Sequence, residues 1–112
     1  MELLVCIVKS HSHVEDILTG FLDVGIRGAT VLDARGMGQV ITTDIPIFAG
    51  FKSMFAAGGA STYMILSVLD EEMVPKAISV IEEAAGDFDK PGTGFLFTAP
   101  VSRVRGMARE IK

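Results

Sequence analysis

The sequence predicts an α+β domain in which two β-α-β units flank one long loop. Four segments rich in apolar residues are typical of strands, at residues 2–9, 28–36, 62–69 and 95–101. Two further segments, each lying between a pair of these strands, repeat apolar residues three and four positions apart, as one face of a helix does. The roughly twenty residues between the second and third strands exceed an ordinary connection, which indicates a functional or unstructured loop.

The first β-α-β unit begins with a strand, residues 2–9, that is apolar on both faces, so both faces need a cover. We expect a helix to follow, with Ser12 and Glu15 forming a capping box and Gly25 standing just beyond its last turn. The second strand, residues 28–36, is predicted to bury Ala29 and Val31. The apolar stripe of the helix comprises Val14, Ile17, Leu18, Phe21 and Leu22.

The second unit repeats this order. Its first strand, residues 62–69, is again apolar on both faces, and Pro75 is compatible only with the first turn of the helix that follows. That helix is predicted to begin near Glu71 or Glu72 and to end at Gly86. A glycine-rich loop at residues 87–94 then leads into the last strand.

Right-handed crossovers convert this order into a ferredoxin-like sandwich, with a four-stranded antiparallel sheet and both helices on one face. The other face of the sheet is then apolar and uncovered. An apolar surface of that size indicates a partner surface, and we expect a homo-oligomer whose sheets pack face to face.

The composition fits one domain, residues 1–112, with 49% hydrophobic residues and a mean hydropathy of +0.46. No apolar run reaches the roughly eighteen residues of a membrane span, and no signal peptide is recognisable, so we expect a cytoplasmic protein without direct membrane insertion. A net charge of -4 argues against nucleic acid as a partner. Cys6 lies in an apolar run and is predicted to be a buried small hydrophobe.

Several glycine motifs, taken in order, resemble the PII signal-transduction family. They are Val24-Gly25-Ile26-x-Gly28-Ala29-Thr30-Val31, Gly36-Met37-Gly38 and Gly92-Thr93-Gly94-x-Leu96-Phe97, followed by Pro100-Val101 with arginines. The resemblance covers nearly the whole chain. It implies a homotrimer that binds nucleotides in the clefts between subunits. It also implies a mobile loop, about residues 38–61, that docks on transporters, enzymes or regulators.

Carried over position by position, the resemblance implies a set of nucleotide-binding residues. Gly28 and Thr30 match the adenine side of the site, and Gly36 and Gly38 match the base of the mobile loop. The segment around Lys90 matches the loop along the phosphates, which the arginines reach from the chain end, while an apolar contact comes from the first strand. The complete set is Ile7, Gly28, Thr30, Gly36, Gly38, Lys90, Gly92, Thr93, Gly94, Arg103 and Arg105.

The sequence also departs from the family pattern. Gln39 and Val40 stand where the family has an Arg-Gln pair, Thr62 stands for a lysine after the mobile loop, and Phe95 stands for a lysine after Gly94. The glutamine of that pair helps to hold metal and 2-oxoglutarate in the family. The resemblance still implies an adenine nucleotide, AMP, ADP or ATP, as the ligand, and the loss of the two lysines favours fewer phosphates.

The long loop is unusually apolar, and we expect a protein target, with a membrane transporter as one suitable class. Its phenylalanines are spaced three and four apart, so a short helix places them on one face, either to dock on a target or to pack on the oligomer itself. The loop contains no tyrosine, which excludes tyrosine modification there. The residues proposed for partner binding are Ile47, Phe48, Phe51, Lys52, Met54 and Phe55.

Two other classes of function stay open at this stage. A metal-responsive trimer similar to the divalent-cation-tolerance family would use His11, His13 and Cys6, although no third ligand lies near the two histidines in sequence. A small enzyme is the other class, but no Ser/His/Asp or Cys/His set stands at suitable positions, so we expect neither catalysis nor a bound metal.

Overall fold

The computed structural model describes residues 1–41 and 62–107 of the chain. These residues form four strands, β1 (Glu2–Val8), β2 (Thr30–Ala34), β3 (Thr62–Leu69) and β4 (Phe95–Pro100). They also form three helices, α1 (His11–Asp23), the one-turn α2 (Met37–Gln39) and α3 (Val74–Ala85).

The sheet has the order β2-β3-β1-β4, and every neighbouring pair is antiparallel. Both long helices pack on one face of it, where Leu4, Cys6, Val8 and Ile65 are buried. The predicted ferredoxin-like sandwich is therefore confirmed. None of the helices in the described parts of the chain has the length and apolar character that a membrane crossing requires.

The core lies between the helices and this face of the sheet. Alternate residues of β1 and β3 meet the apolar stripes of α1 and α3 there. Gly20 brings the two helices close together, because a Cβ at this position would meet the side chain of Val80. The fully buried large side chains are Phe21, Leu4, Ile17, Ile65, Ile81, Val8 and Cys6.

Helix α1 begins earlier than the sequence indicates. Ser10 is the N-cap residue, and its carbonyl accepts from the amides of His13 and Val14, while its hydroxyl contacts that of Ser12. The predicted capping box of Ser12 with Glu15 is therefore wrong, since both residues already lie inside the helix. Leu22, predicted to be buried, is 62% exposed because it falls at the edge of the packed stripe.

Helix α1 ends as predicted, with Gly25 at a positive φ of 92°. The amide of Gly25 donates to the carbonyl of Leu22, and the amide of Ile26 donates to that of Phe21. This pair of hydrogen bonds is a Schellman motif, and its apolar contact is supplied by Phe21 and Ile26, which both belong to the core.

The second half of the chain follows its prediction closely. Strand β3 has the predicted bounds, and a 3-10 turn at Glu71–Met73 precedes α3, which carries Pro75 in its first turn. Gly86, at a positive φ of 101°, ends α3.

Strand β2 is shorter and more exposed than predicted. It begins at Thr30 rather than residue 28, and Ala29 and Val31 are exposed rather than buried. The reason is its position at the edge of the sheet, where the helices do not reach. The first residues of the predicted loop are helical, since α2 covers residues 37–39.

Candidate functional site

The register of the strands defines two ends of the sheet. At the upper end, Val8 of β1 pairs with Tyr63 of β3, and Phe95 opens β4 beside Ile7. At the lower end, Glu2 of β1 pairs with both Leu69 and Pro100. The predicted nucleotide-binding residues divide between these two ends.

The upper end carries the glycine-rich loop, residues 87–94. The amide of Asp89 donates to a carboxylate oxygen of Asp87 over 2.9 Å, which forms a turn and leaves the Lys90 side chain exposed. Gly92 and Gly94 both have positive φ, at 83° and 129°. The backbone of Gly94 lies against the carbonyl of Ile7, so that a Cβ there would clash with it. This contact seats the loop on the end of β1.

The base of the predicted mobile loop lies at the same end, on the opposite edge of the sheet. Gly36 caps α2, and its carbonyl accepts from the amide of Val40 over 3.0 Å. Gly38 lies within that turn. The side-chain oxygen Oε1 of Gln39 is buried and has no hydrogen-bond partner among the described residues.

The lower end carries the linker of residues 24–29 between α1 and β2. The Ser67 hydroxyl of β3 donates to the carbonyl of Gly28 and ties the linker to the sheet. The sequence analysis missed Ser67 because it treated the segment 62–69 as apolar. The signal that could have revealed it is a single hydroxyl on the core-facing side of an otherwise apolar strand.

A pocket of about 790 Å³ opens beside this linker, a size that suits a small organic ligand. Gly28 and Thr30 line it, together with Ser67 and, from the chain end, Gly106 and Met107. Much of the remaining lining is apolar, and its charged residues are Arg27, Asp70 and Glu72. Arg103 and Arg105 are exposed and stand outside this lining, in the segment that follows β4 at the lower end.

The structure thus divides the predicted residues into two groups, one at each end of the sheet, which we call the upper and lower half-sites of the expected ligand. The upper half-site comprises Ile7, Gly36, Gly38, Lys90, Gly92, Thr93 and Gly94. The lower half-site comprises Gly28, Thr30, Arg103 and Arg105. Gly28 and Gly94 lie near diagonally opposite corners of the sheet, on the order of 20 Å apart from the rise and spacing of strands. One subunit alone does not bring the two half-sites together.

The metal-binding alternative loses one of its three residues. Cys6 is fully buried on the core-facing side of β1, between Ile65 and Leu96 in the register. His11 lies 3.3 Å from the Glu15 carboxylate and packs edge-on against Tyr63. Within the described ranges, no three histidine, cysteine or acidic side chains are grouped to hold a metal ion.

Burial also makes the Cys6 thiol unreactive, because it raises the pKa from an ordinary value of 9.0 to about 12. We expect thiol reagents to label Cys6 slowly in the folded protein and rapidly in denaturant. The thiol loses its proton near pH 9 in the unfolded chain and only near pH 12 in the folded chain. Its contribution to the free energy of unfolding is therefore complete below pH 9 and declines as the pH rises towards 12. Cys6→Ala should lack that part of the alkaline decline in melting temperature, whereas equally rapid labelling of folded and denatured protein would contradict the burial.

The six residues predicted for partner binding, from Ile47 to Phe55, lie outside the described residues. The same holds for most of the loop at 38–61 and for the last residues of the chain, 108–112.

Comparisons with known proteins agree with this architecture. The family profile described as "Nitrogen regulatory protein P-II" matches residues 1–110. No curated protein matches the chain in sequence at a significant level. Among solved structures, that of Arabidopsis thaliana PII bound to citrate matches with a TM-score of 0.63 and 24% identity, over 90% of this chain and 77% of that chain. At this identity the structural match establishes the shared fold alone.

Proposed function

Because the chain belongs to the nitrogen regulatory protein P-II family, we propose that it is a trimeric regulatory protein that binds an adenine nucleotide between its subunits. The bound nucleotide favours one conformation of the segment 38–61, and that segment contacts a target protein. The role is regulation by differential binding to conformational states, without catalysis. We place this activity in the cytoplasm, as the composition predicts.

The uncovered face of the sheet supports the assembly. On this face, Phe95 and Phe97 stack with their ring centroids 6.3 Å apart and are 54% and 47% exposed. Leu32 on the opposite edge strand is 45% exposed, and between them lie apolar residues of β1 and β3. Removing such a surface from water stabilises an assembly by about 25 cal/mol per Å² buried. Further copies of the chain are the occupants that we propose, three in number as the family resemblance implies.

The separation of the half-sites is the observation that carries the proposal of a shared nucleotide site. The lower half-site offers an apolar pocket suited to a base, together with two exposed guanidinium groups. The upper half-site offers an exposed ammonium group on a glycine-rich loop, which suits phosphate. A single nucleotide contacts both only where the upper end of one subunit meets the lower end of its neighbour.

The position of the upper half-site supports coupling to a target. Gly36 and Gly38 lie where the chain leaves β2 for the segment 38–61, so a ligand that contacts them favours particular conformations of that segment. The segment contains Phe48, Phe51 and Phe55, and its apolar composition favours a target with an apolar surface, such as a membrane transporter.

The first experiment is isothermal titration of the purified protein with AMP, ADP and ATP, each with and without magnesium. Citrate belongs in the panel because the Arabidopsis relative was solved with it. We expect one nucleotide to bind, and both Lys90→Ala and Arg103→Ala to weaken it about tenfold or more, since each removes a charge-assisted contact. Lys76→Ala removes an exposed lysine of α3 as a control and should leave binding unchanged.

A mixing experiment tests whether the site is shared. Lys90→Ala disables the upper half-site of a subunit and Arg103→Ala the lower, so neither variant alone forms an intact cleft. Co-refolding the two in equal amounts should restore wild-type affinity in about a quarter of the clefts, as random pairing around a ring requires. A mixture that binds no better than the separate variants would place both residues in one subunit's site.

A further inference from the structure

Ser67 is the one polar residue in the described parts of the chain that is buried as a whole, at 2% exposure. It lies on the core-facing side of β3 between Ile65 and Leu69, where every neighbour in the core is apolar. Its hydroxyl donates to the carbonyl of Gly28. Burying a hydroxyl among apolar side chains costs free energy unless the hydroxyl is hydrogen-bonded. The structure therefore favours positions of the Gly28 carbonyl that keep it within hydrogen-bonding distance of Ser67.

The bond acts on the second half of the linker, residues 27–29, since the first half is held by the Schellman motif and by the buried Ile26 side chain. Strand pairing of β2 begins at Thr30, so residues 27–29 have no partners in the sheet ladder. Arg27, Gly28 and Ala29 are all exposed, and a Cβ at Gly28 would meet nothing within 4 Å. Packing of Ile26 and pairing of Thr30 hold the two ends of this segment, and the Ser67 hydroxyl holds the backbone between them.

The same segment forms a wall of the pocket at the lower end. Gly28, Thr30 and Ser67 all line it. A displacement of Gly28 therefore changes the shape of the pocket and moves Thr30, the first residue of β2. We propose that Ser67 is a positioning residue for ligand recognition, which sets the Gly28–Thr30 wall that contacts the base of the nucleotide. This inference rests on the proposed function.

Removing the hydroxyl should change recognition of the base more than overall binding. In Ser67→Ala the linker samples alternative conformations, and we expect the affinity for the preferred adenine nucleotide to fall about five- to tenfold, as loss of one well-formed hydrogen bond does. Affinity for the guanine nucleotide with the same number of phosphates should change less. The wall that Ser67 positions recognises the adenine base, whereas the phosphates, which both nucleotides share, contact the upper half-site. The ratio of the two affinities is the readout that a merely structural role does not move.

The experiment compares four proteins by titration with both nucleotides and by amide hydrogen exchange without ligand. They are the wild type, Ser67→Ala, Ser67→Thr and Ser79→Ala, the last being an exposed serine of α3 that serves as a control. Ser67→Thr keeps the hydroxyl and should restore the preference for adenine. In Ser67→Ala, exchange should accelerate at residues 30–32, the first residues of β2 that pair with β3, and stay unchanged in α3.

The outcomes separate this inference from the proposed function. A wild type that binds no adenine nucleotide overturns both. A wild type that binds, with Ser67→Ala showing the same ratio of adenine to guanine affinity, overturns the role of Ser67 alone. Unchanged exchange at residues 30–32, or exchange that accelerates across the whole core, likewise overturns it.

Discussion

Gly94→Ala should destabilise the protein by about 3 kcal/mol or more, the largest effect expected from any single methyl group in the described chain. Two penalties act together at this position. Gly94 has a φ of 129°, a conformation that an alanine adopts only under strain, and its backbone lies where a Cβ would clash with the carbonyl of Ile7. Relief requires either β1, an inner strand, or the entry to the edge strand β4 to move, and the two strands are paired along the whole of β4. Urea denaturation followed by circular dichroism measures the loss.

Gly92→Ala is the matched control for this substitution. Gly92 lies two residues earlier in the same loop and also has a positive φ, 83°, but a Cβ there would meet nothing within 4 Å. It carries the strain without the clash, so we expect a cost of about 1 to 2 kcal/mol. Equal costs for the two variants would show that the close approach of Gly94 to β1 is not what determines stability here.

Phe97→Glu should convert the proposed trimer into monomers. The Phe97 side chain lies on the uncovered sheet face beside Phe95, and burying it between subunits contributes about 2 kcal/mol for each copy. A glutamate in its place would leave an unpaired carboxylate in an apolar interface, which costs several kcal/mol more. Sedimentation velocity should therefore report about one third of the wild-type mass. Nucleotide binding should be lost with it, since each cleft needs two subunits.

Leu22→Glu is the control for that variant. Leu22 is more exposed than Phe97, at 62%, but lies on α1, on the other side of the molecule from the uncovered face. It should leave both mass and nucleotide binding unchanged. A wild type that sediments as a monomer, or a Phe97→Glu protein that stays a trimer, would show that this face is not the interface.

The sequence by itself determined the order of the elements and where most of them end. Apolar periodicity acts within a few residues, so the bounds of β3 and the stripe of α1 through Ile17 and Phe21 could be predicted from neighbours along the chain. The stops at Gly25 and Gly86 are equally local, because a positive φ is a property of a single residue. These features define a ferredoxin-like sandwich before any long-range contact is considered.

The wrong predictions have two causes, a competition between two possible N-cap residues and the edge position of one strand. Ser10 and Ser12 both suit the start of a helix, and the chain uses Ser10, so the first turn is formed two residues earlier than the pattern indicates. The exposure of Val31 follows from the edge position of β2, which depends on how all four strands are arranged.

Only the tertiary structure decided how the candidate site is organised. The sequence places Gly28 and Gly94 in one list of ligand residues, but strand order and register place them at opposite corners of the sheet. The hydrogen bond from Ser67 to Gly28 joins residues 39 positions apart. Such relations arise when distant segments pair, and no local pattern encodes them. For this reason the candidate residues could be proposed from the sequence, whereas their division between the two ends of the sheet could be recognised only from the fold.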